Sequence, residues 1–329
     1  MTNLEIRLVK KDEYEELMTL MNRAFDFNTY EEKFEHILPK LYFKDNKNMV
    51  HYAAFVDGKI VSSVGLYTMF FESIYGTLKV GCVGAVSTHQ DYRNNGYFSK
   101  VIKKIINYAK RHDFDTLFLG GNRFRYNHFG FENAGRKMII SISQRTRQTL
   151  KPSPYKIEKL DKNNNNDIIA CLNLYNKQAQ HVKRNEYDFF NHVITWNSTP
   201  YIVKVDEKIV GYFSVKDDEV LELIFMNKYF DTVLDASLSI LAEVTIQLPY
   251  SLYSEKLLKK VDSYTVLHNE MHYVINWDKA KKYLGFDETK SDEFNKLSKK
   301  EKLRALFGCN EFPTKFCKLD MYIGRCDQG

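Results

Sequence analysis

Apolar and polar positions repeat one plan in two halves of the chain. The segments LEIRLVKKDEYEELMTLMNRAF and YKIEKLDKNNNNDIIACLNLYNKQ each predict a short strand followed by an amphipathic helix. HYAAFVDGKIVSSVGLY and PYIVKVDEKIVGYFSV each predict two strands joined by a tight turn. Between the halves, Pro152 and Pro154 prevent a continuing helix. The pattern therefore predicts domains at residues 1–150 and 155–280, a linker at 151–154 and a C-terminal extension at 281–329.

Within the first half, strands and helices are interleaved. The pattern predicts strands at 4–9, 50–56, 59–71, 78–88 and 115–120, and helices at 11–24, 30–41 and 97–111. The last helix is the best defined, because its apolar residues lie on one stripe: Tyr97, Phe98, Val101, Ile102, Ile105 and Ile106. Hairpins mixed with helices in this way indicate an α/β or α+β fold.

Composition restricts the class of protein. A chain of 329 residues with 44% hydrophobic and 27% charged residues is expected to fold around a sizeable core. No run approaches the roughly 18 apolar residues of a membrane span, and the start lacks a signal-peptide core, so we expect a cytoplasmic protein. The five cysteines match no zinc or disulfide spacing and are interpreted as reduced thiols. Lys and Arg are spread among acidic residues, so the net charge of +6 indicates a solvated surface rather than nucleic-acid binding.

The turn DYRNNGYFSKVI, residues 91–102, lies between the β-rich run LKVGCVGAVSTH and the helix 97–111. A strand, a glycine turn and a helix start point several N–H groups and the positive helix end at one spot, which favours an anion such as a phosphate. Neither a Walker loop nor a dinucleotide-binding loop is present. Taken alone, the stretch is also compatible with an ordinary left-handed turn at Gly96 and an exposed Arg93.

Two motifs carry a resemblance to a known family. VSTHQDYRNNGYFSKVI resembles motif A of the GNAT superfamily of acyl-CoA-dependent N-acetyltransferases, although Gln90 replaces a common proline and Phe98 a usually small residue. LFLGGNRFRYNHFGFENAG looks like the GNAT element after the fifth strand, with Tyr126 four residues before Gly130. The internal repeat is similar to tandem-GNAT acetyltransferases related to the enhanced intracellular survival family.

That resemblance implies tandem GNAT-like domains, each a mixed, mostly antiparallel sheet flanked by helices. Family members usually carry a further C-terminal domain, which we expect to be reduced or missing because only residues 281–329 follow the repeat. The second half has no Arg/Gln-x-x-Gly turn, so we expect it to be structural and the chain to bind one cofactor molecule.

The resemblance also implies roles for particular residues. The main chain of Val86, Ser87 and Thr88 would pair with pantetheine, and Asn122 would be a cap or a cofactor contact. The pyrophosphate would be bound, chiefly through main-chain N–H groups, by Arg93, Asn94, Asn95, Gly96, Tyr97, Phe98 and Ser99. Tyr126 would be the general acid, with a buried aromatic anchor as its alternative role. The C-terminal carboxylate of Gly329 is the implied candidate for the base.

The implied reaction is transfer of an acetyl group from the co-substrate acetyl-CoA to a primary amine, by direct attack in a ternary complex. Aminoglycosides, polyamines, peptide N-termini and protein lysines all remain open as acceptors. We expect no metal, nucleic-acid or membrane partner, and a homo-oligomer is possible because family members often assemble. The rival function is a non-catalytic acyl-CoA-binding or sensor module in which Phe98 narrows the cofactor slot.

Two further stretches are interpreted as structural. His268 and His272 in HNEMH lack the His-Glu-x-x-His order of zinc enzymes, and the following YVINW predicts a strand, so both are taken as ordinary surface or core histidines. LSKKEKLRALFG predicts an amphipathic helix that ends at a glycine and packs on the core.

Overall fold

The computed structural model describes residues 3–43, 45–252, 255–310 and 316–328. The elements of the first half are β1 Leu4–Leu8, α1 Tyr14–Ala24, α2 Phe34–Ile37, β2 Met49–Val56, β3 Lys59–Ser73, β4 Gly76–Thr88, α3 Tyr97–Arg111, β5 Thr116–Leu119, α4 Arg123–Tyr126, β6 Glu132–Asn133, β7 Arg136–Ser143 and α5 Gln144–Arg147. The five predicted strands and the helices at 11–24 and 97–111 are confirmed, with the first helix opening in a short 3-10 turn, Lys11–Glu13.

The helix predicted at 30–41 is wrong, because only α2 is helical there. The Glu32 carboxylate accepts hydrogen bonds from the amides of Asn28 and Thr29 at 3.2 and 3.1 Å, which folds the preceding residues into turns. Pro39 follows shortly after α2 and disfavours its continuation. Local side-chain capping therefore competes successfully with the apolar periodicity of this segment.

The second half repeats the order of strands and helices. Its elements are β8 Lys156–Lys159, α6 Asn165–Tyr175, β9 Gln180–Val182, α7 Phe189–Val193, β10 Thr199–Val205, β11 Lys208–Lys216, β12 Glu219–Phe225, α8 Phe230–Ile240, β13 Glu243–Pro249, α9 Glu255–Leu258, β14 Ser263–His268, β15 Met271–Val274, α10 Trp277–Leu284, α11 Ser291–Lys296 and α12 Lys299–Phe307. The predicted C-terminal helix is α12, whose Leu303, Leu306 and Phe307 are buried and whose start is capped by Ser298 and Glu301.

The described strands form two sheets. The first sheet has the order β1-β2-β3-β4-β5-β15-β6, with β9 against β3, and the second has the order β14-β7-β13-β12-β11-β10-β8. Their pairings are antiparallel, except that β4 runs parallel to β5 and β12 runs parallel to β13. The predicted plan of two mixed, mostly antiparallel sheets flanked by helices is confirmed.

Each half contributes at least one strand to the sheet of the other half: β7 of the first half joins the second sheet, and β9 and β15 of the second half join the first. Strand β15 lies between β5 and β6, and β7 lies between β13 and β14. Neither sheet is therefore complete without a strand from the opposite half. The domain limits at 150, 155 and 280 remain a prediction. The sequence analysis did not predict the exchange of strands between the two halves.

Buried side chains connect the C-terminal segment to both halves. The Arg184 guanidinium donates to both oxygens of Glu222 at 2.9 and 2.6 Å and to Oδ1 of Asp327 at 2.8 Å. The ammonium of Lys40, from the first half, donates to the carbonyl oxygen of Cys326. Arg184 and Lys40 are 4% and 3% exposed, so these charges are balanced inside the protein rather than by solvent.

Other properties of the chain accord with a folded core. All five cysteines are buried. Within the described ranges, no helix combines the length and the apolar character that crossing a bilayer requires.

His272 is a buried, uncharged core residue. Its Nε2 donates to the carbonyl oxygen of Asn269 at 2.8 Å, and its ring packs 4.8 Å from that of Phe307. Burial lowers the pKa of His272 to about 4 from 6.5, although the Asn269 carbonyl opposes this shift. In the part of the chain that the structure describes, no group of three or more His, Cys, Asp or Glu side chains could hold a metal ion.

We expect His272 to make stability depend on pH. The unfolded chain binds a proton at His272 near pH 6.5 and the folded chain only near pH 4, so stability is present above 6.5 and falls as the pH drops through this window. Between pH 7 and 5 the loss is about 2 kcal/mol, at about 1.4 kcal/mol per pKa unit. Urea unfolding of wild type and His272→Gln at both pH values measures it, and identical pH dependence of the two proteins would contradict the expectation.

Candidate cofactor and catalytic site

A gap opens between β4 and β5. The two strands pair in parallel through Val80 with Thr116, Gly81 with Leu117 and Cys82 with Phe118, and the register then ends although β4 continues to Thr88. The strand before the glycine turn therefore separates from its neighbour after Cys82.

A β-bulge in β4 accompanies this separation. Ser63 pairs with Ser87 and Gly65 pairs with Gly84, so β4 holds one extra residue between these pairs. Ala85, inside the bulge, has a φ of 44°, which is unusual for a residue with a side chain. A bulge bends its strand and interrupts the ladder, so this one turns the end of β4 away from β5.

The glycine turn leads directly into α3. Gly96 is the N-cap with a φ of 73° in the left-handed region, and no side chain caps the helix. The first turn of α3 contains no acidic residue, so the positive helix end is not compensated locally. The Asn95 side-chain amide donates to the carbonyl oxygens of Tyr92 and Arg93 at 3.2 and 3.3 Å, which fixes the turn that presents the helix start.

A cleft of about 550 Å³ lies beside this helix start. Its lining contains eight of the predicted cofactor residues: Val86, Thr88, Arg93, Asn94, Gly96, Tyr97, Phe98 and Ser99. Ala24, Tyr92 and Arg125 also line it and were not predicted. The volume is in the range of small-molecule sites. The structure therefore brings the predicted turn and strand together around one open space.

Three predicted cofactor residues point elsewhere with their side chains. The Ser87 hydroxyl donates to the carbonyl oxygen of Ala85 at 3.1 Å. Asn95 holds the turn, and Asn122 is the N-cap of α4, where its side-chain oxygen accepts from the amide of Phe124 at 2.9 Å. Cofactor contacts of Ser87, Asn95 and Asn122 remain predictions.

Tyr126 ends α4 and is 5% exposed. Its ring lies edge-to-face against Phe98, with centroids 5.8 Å apart, so it contacts a side chain that lines the cleft. Burial raises the pKa of Tyr126, and the neighbouring Arg125 partly offsets that rise. The hydroxyl therefore keeps its proton at neutral pH, as a proton donor must.

An ion pair fixes the corner that carries Tyr126. The Arg123 guanidinium donates to both carboxylate oxygens of Glu132 at 2.5 and 2.6 Å, and Glu132 is 2% exposed. Phe98, the bulky departure from the family motif, completes the packing because its ring also meets Phe129 edge-to-face at 5.6 Å. Phe98 therefore belongs to an aromatic cluster that joins the cleft lining to Tyr126.

A carboxylate at the end of β5 was missed by the sequence reasoning. One Glu270 oxygen accepts from the side-chain amide of Gln328 at 2.8 Å, and the other lies 2.9 Å from where a Cβ on Gly120 would stand. No local pattern in HNEMH indicates this position, because the strand exchange brings Glu270 to β5. The predicted base, Gly329, lies outside the described residues.

Among the described residues of the second half, the helix start that corresponds to that of α3 is not an equivalent anion site. Helix α8 starts after Tyr229 rather than a glycine, and Asp231 is in its first turn. Between β12 and β13, the Tyr322 hydroxyl donates to the carbonyl oxygen of Gln247 at 3.3 Å, and Arg325 lies 3.5 Å from Glu219. The C-terminal segment thus contacts both strands here, and its residues Tyr322, Gly324 and Asp327 help to line a cavity of about 80 Å³.

Comparison with known proteins agrees with this geometry. Residues 5–134 match the sequence model of the acetyltransferase (GNAT) domain. No curated protein matches the chain.

Solved structures share the fold of most of the chain. A conserved Enterococcus faecalis protein described as a probable N-acyltransferase superposes with a TM-score of 0.71 at 16% identity, covering 87% of this chain and 76% of that one. Eis1 from Mycobacterium abscessus gives 0.62 at 14% identity, with coverages of 87% and 77%. A tandem GNAT protein of the clavulanic acid biosynthesis pathway gives 0.52 at 9% identity, with coverages of 83% and 99%. Residues 5–134 therefore form a GNAT acetyltransferase domain, within a chain that has the tandem-GNAT fold.

Proposed function

We propose that this protein transfers an acetyl group from acetyl-CoA to a primary amine in a ternary complex. The observation that carries the proposal is the cleft in which a bulged strand end and an uncapped helix start meet. The match of residues 5–134 to an acetyltransferase domain supports the same reaction class.

The cleft has the features that a CoA pyrophosphate requires. The first amides of a helix have no partner within the helix, so those of Tyr97, Phe98 and Ser99 can donate to phosphate oxygens. Arg93 and Arg125 line the same cleft and can neutralise the phosphate charge. The end of β4 at Val86 and Thr88 can pair with the amide groups of pantetheine.

Tyr126 is the proposed proton donor. Attack of a neutral amine on the thioester carbonyl forms a C–N bond and releases a thiolate as the C–S bond breaks. A buried phenol with a raised pKa can protonate that sulfur. The alternative role of Tyr126, an aromatic anchor, predicts wild-type turnover when only the hydroxyl is removed, because the ring that makes the packing contacts remains.

Release of free CoA with an amine panel tests the function. The panel contains spermidine, kanamycin, triglycine and Nα-acetyl-lysine amide, which represent the four acceptor classes. We expect turnover with at least one of them and binding of one CoA per chain. Binding of acetyl-CoA with no turnover of any amine would instead support the acyl-CoA-binding module in which Phe98 narrows the slot.

Gly96→Ala is expected to weaken CoA binding about fivefold or more. The left-handed φ of 73° costs a residue with a Cβ about 1 kcal/mol, and the new methyl group stands in open space at the helix start. Gly58→Ala is the matched control, because Gly58 has a φ of 82°, an equally open surrounding and a place outside the cleft. Calorimetric titration with CoA measures the affinity of both variants. Equal affinities would contradict binding of the pyrophosphate at the turn before α3.

A further inference from the structure

Glu270 lies beside the end of β5, the strand that borders the gap between β4 and β5. It immediately precedes β15, whose Met271 pairs with Leu119 of β5. Because β4 and β5 separate after Cys82 and Phe118, the next residues of β5 lie on one side of the gap and Val86 lies on the other. The contact of the Glu270 carboxylate with Gly120 therefore places a negative charge at the β5 side of this gap.

The position of this carboxylate is fixed, and one of its oxygens lies beside exposed main chain. Gln328 donates to one of its oxygens at 2.8 Å, and the main-chain oxygen of Glu270 accepts from the amide of Ala134 at 3.3 Å. Glu270 has a φ of 69°, an unfavourable conformation of the kind that clusters at functional sites. Gly120 and Gly121 are exposed, so the second oxygen lies beside a solvent-open strand end.

The surrounding charges keep this carboxylate suited to proton exchange. Burial raises the pKa of Glu270, and Lys137 of β7 and Arg325 of the C-terminal segment partly offset the rise. Arg325 also lies 3.5 Å from Glu219, so its positive charge is divided between Glu219 and Glu270. A carboxylate whose pKa moves towards neutral becomes a stronger base at physiological pH.

We propose that Glu270 accepts the proton of the acceptor ammonium, directly or through one water, so that a neutral amine attacks the thioester. The inference rests on the proposed acetyl transfer. It gives a catalytic role to a side chain of the second half that the strand exchange delivers to the first sheet.

The proton balance closes with Tyr126. The ammonium first gives one proton to Glu270, and the resulting amine forms the C–N bond as the C–S bond breaks. Tyr126 gives its proton to the leaving sulfur, and the nitrogen then loses a second proton, which restores Tyr126. The proton on Glu270 passes to solvent, so each turnover yields an amide, free CoA and one proton.

Glu270→Gln tests the proposal, because glutamine can still accept the hydrogen bond from Gln328 but cannot take a proton. The assay is CoA release across pH 6 to 10 with the panel amine that wild type uses best. At pH 7 we expect kcat/KM to fall about 100-fold or more. The ratio of wild-type to variant kcat/KM should fall about tenfold for each pH unit as the pH rises towards the pKa of the amine, because an amine that is already neutral needs no base.

Glu219→Gln is the matched control, since it removes a carboxylate from the same charge network. It should keep the wild-type pH profile, and both variants should keep wild-type affinity for CoA. A loss under threefold in Glu270→Gln, or a deficit that stays constant with pH, would overturn the role.

A second variant tests the proposal if Glu270→Gln does not fold. Glu270→Ala leaves room for a small carboxylate, so added formate should restore part of the turnover at pH 7, and the absence of rescue would overturn the role. The two proposals fail differently. Wild-type protein that binds acetyl-CoA but turns over no panel amine overturns the proposed function together with this inference, whereas an active wild type with an unaffected Glu270→Gln overturns only the inference.

Discussion

Tyr126→Phe is expected to lower turnover by a factor on the order of 10² to 10⁴ while leaving folding and CoA affinity unchanged. The substitution removes only the hydroxyl and keeps the ring that packs against Phe98 and Phe131 at centroid distances of 5.8 and 6.4 Å. The departing thiolate then lacks its proton donor. Steady-state CoA release and calorimetric CoA titration separate the chemical effect from binding.

Tyr42→Phe is the matched control for this experiment. Tyr42 is also buried, at 3% exposure, its hydroxyl has no hydrogen-bond partner among the described residues, and it lies outside the cleft. Its substitution should leave turnover as in wild type. If Tyr126→Phe also turned over at the wild-type rate, Tyr126 would be an aromatic anchor and the general acid would have to be sought elsewhere.

Arg184→Met is expected to destabilise the fold by about 3 to 5 kcal/mol, because it leaves Glu222 and Asp327 without their buried counter-charge. Burial alone would raise the pKa of Asp327, but Arg184 holds that pKa below its usual range, so the aspartate remains charged at neutral pH. Methionine fills a similar space without a charge. Urea unfolding at pH 7 measures the change in the free energy of unfolding.

An exposed ion pair provides the comparison. Lys156 lies 2.5 Å from Glu207, with side chains 67% and 72% exposed, so Lys156→Met should destabilise the fold far less than Arg184→Met. Adding Glu222→Gln and Asp327→Asn to Arg184→Met should recover part of the loss, since no buried charge is then left unpaired. Equal losses in Arg184→Met and Lys156→Met would show that the buried network is not what stabilises the C-terminal segment.

The two expected effects are connected through the C-terminal segment. Asp327 is held by Arg184, and the adjacent Gln328 holds Glu270 beside Gly120. We therefore expect weakening of the buried ion pairs to reduce turnover as well as stability. The buried network then contributes to function by fixing the position of a carboxylate, without contacting substrate itself.

Several features of the site follow from short stretches of sequence. The helix at 97–111 follows from its apolar stripe, and the turn before it from Gly96 and the β-rich run that precedes it. Tyr126 follows from its spacing to Gly130, and its burial against Phe98 agrees with that motif. In these cases neighbouring residues determine the conformation, so a local pattern is sufficient. The segment 30–41 shows the limit, because the hydrogen bonds of Glu32 oppose its periodicity.

Neighbouring residues are enough to predict the repeated order of strands and helices, the uncapped helix start and the aromatic corner at Tyr126. The exchange of β7 and β15, the bulge at Ala85 and the contacts of Glu270 with Gly120 and Gln328 are visible only in the folded protein. These features depend on which strands pair and on residues far apart in the chain. Strand pairing is settled by burial of whole sheet faces, a global energy that no short pattern of residues reports.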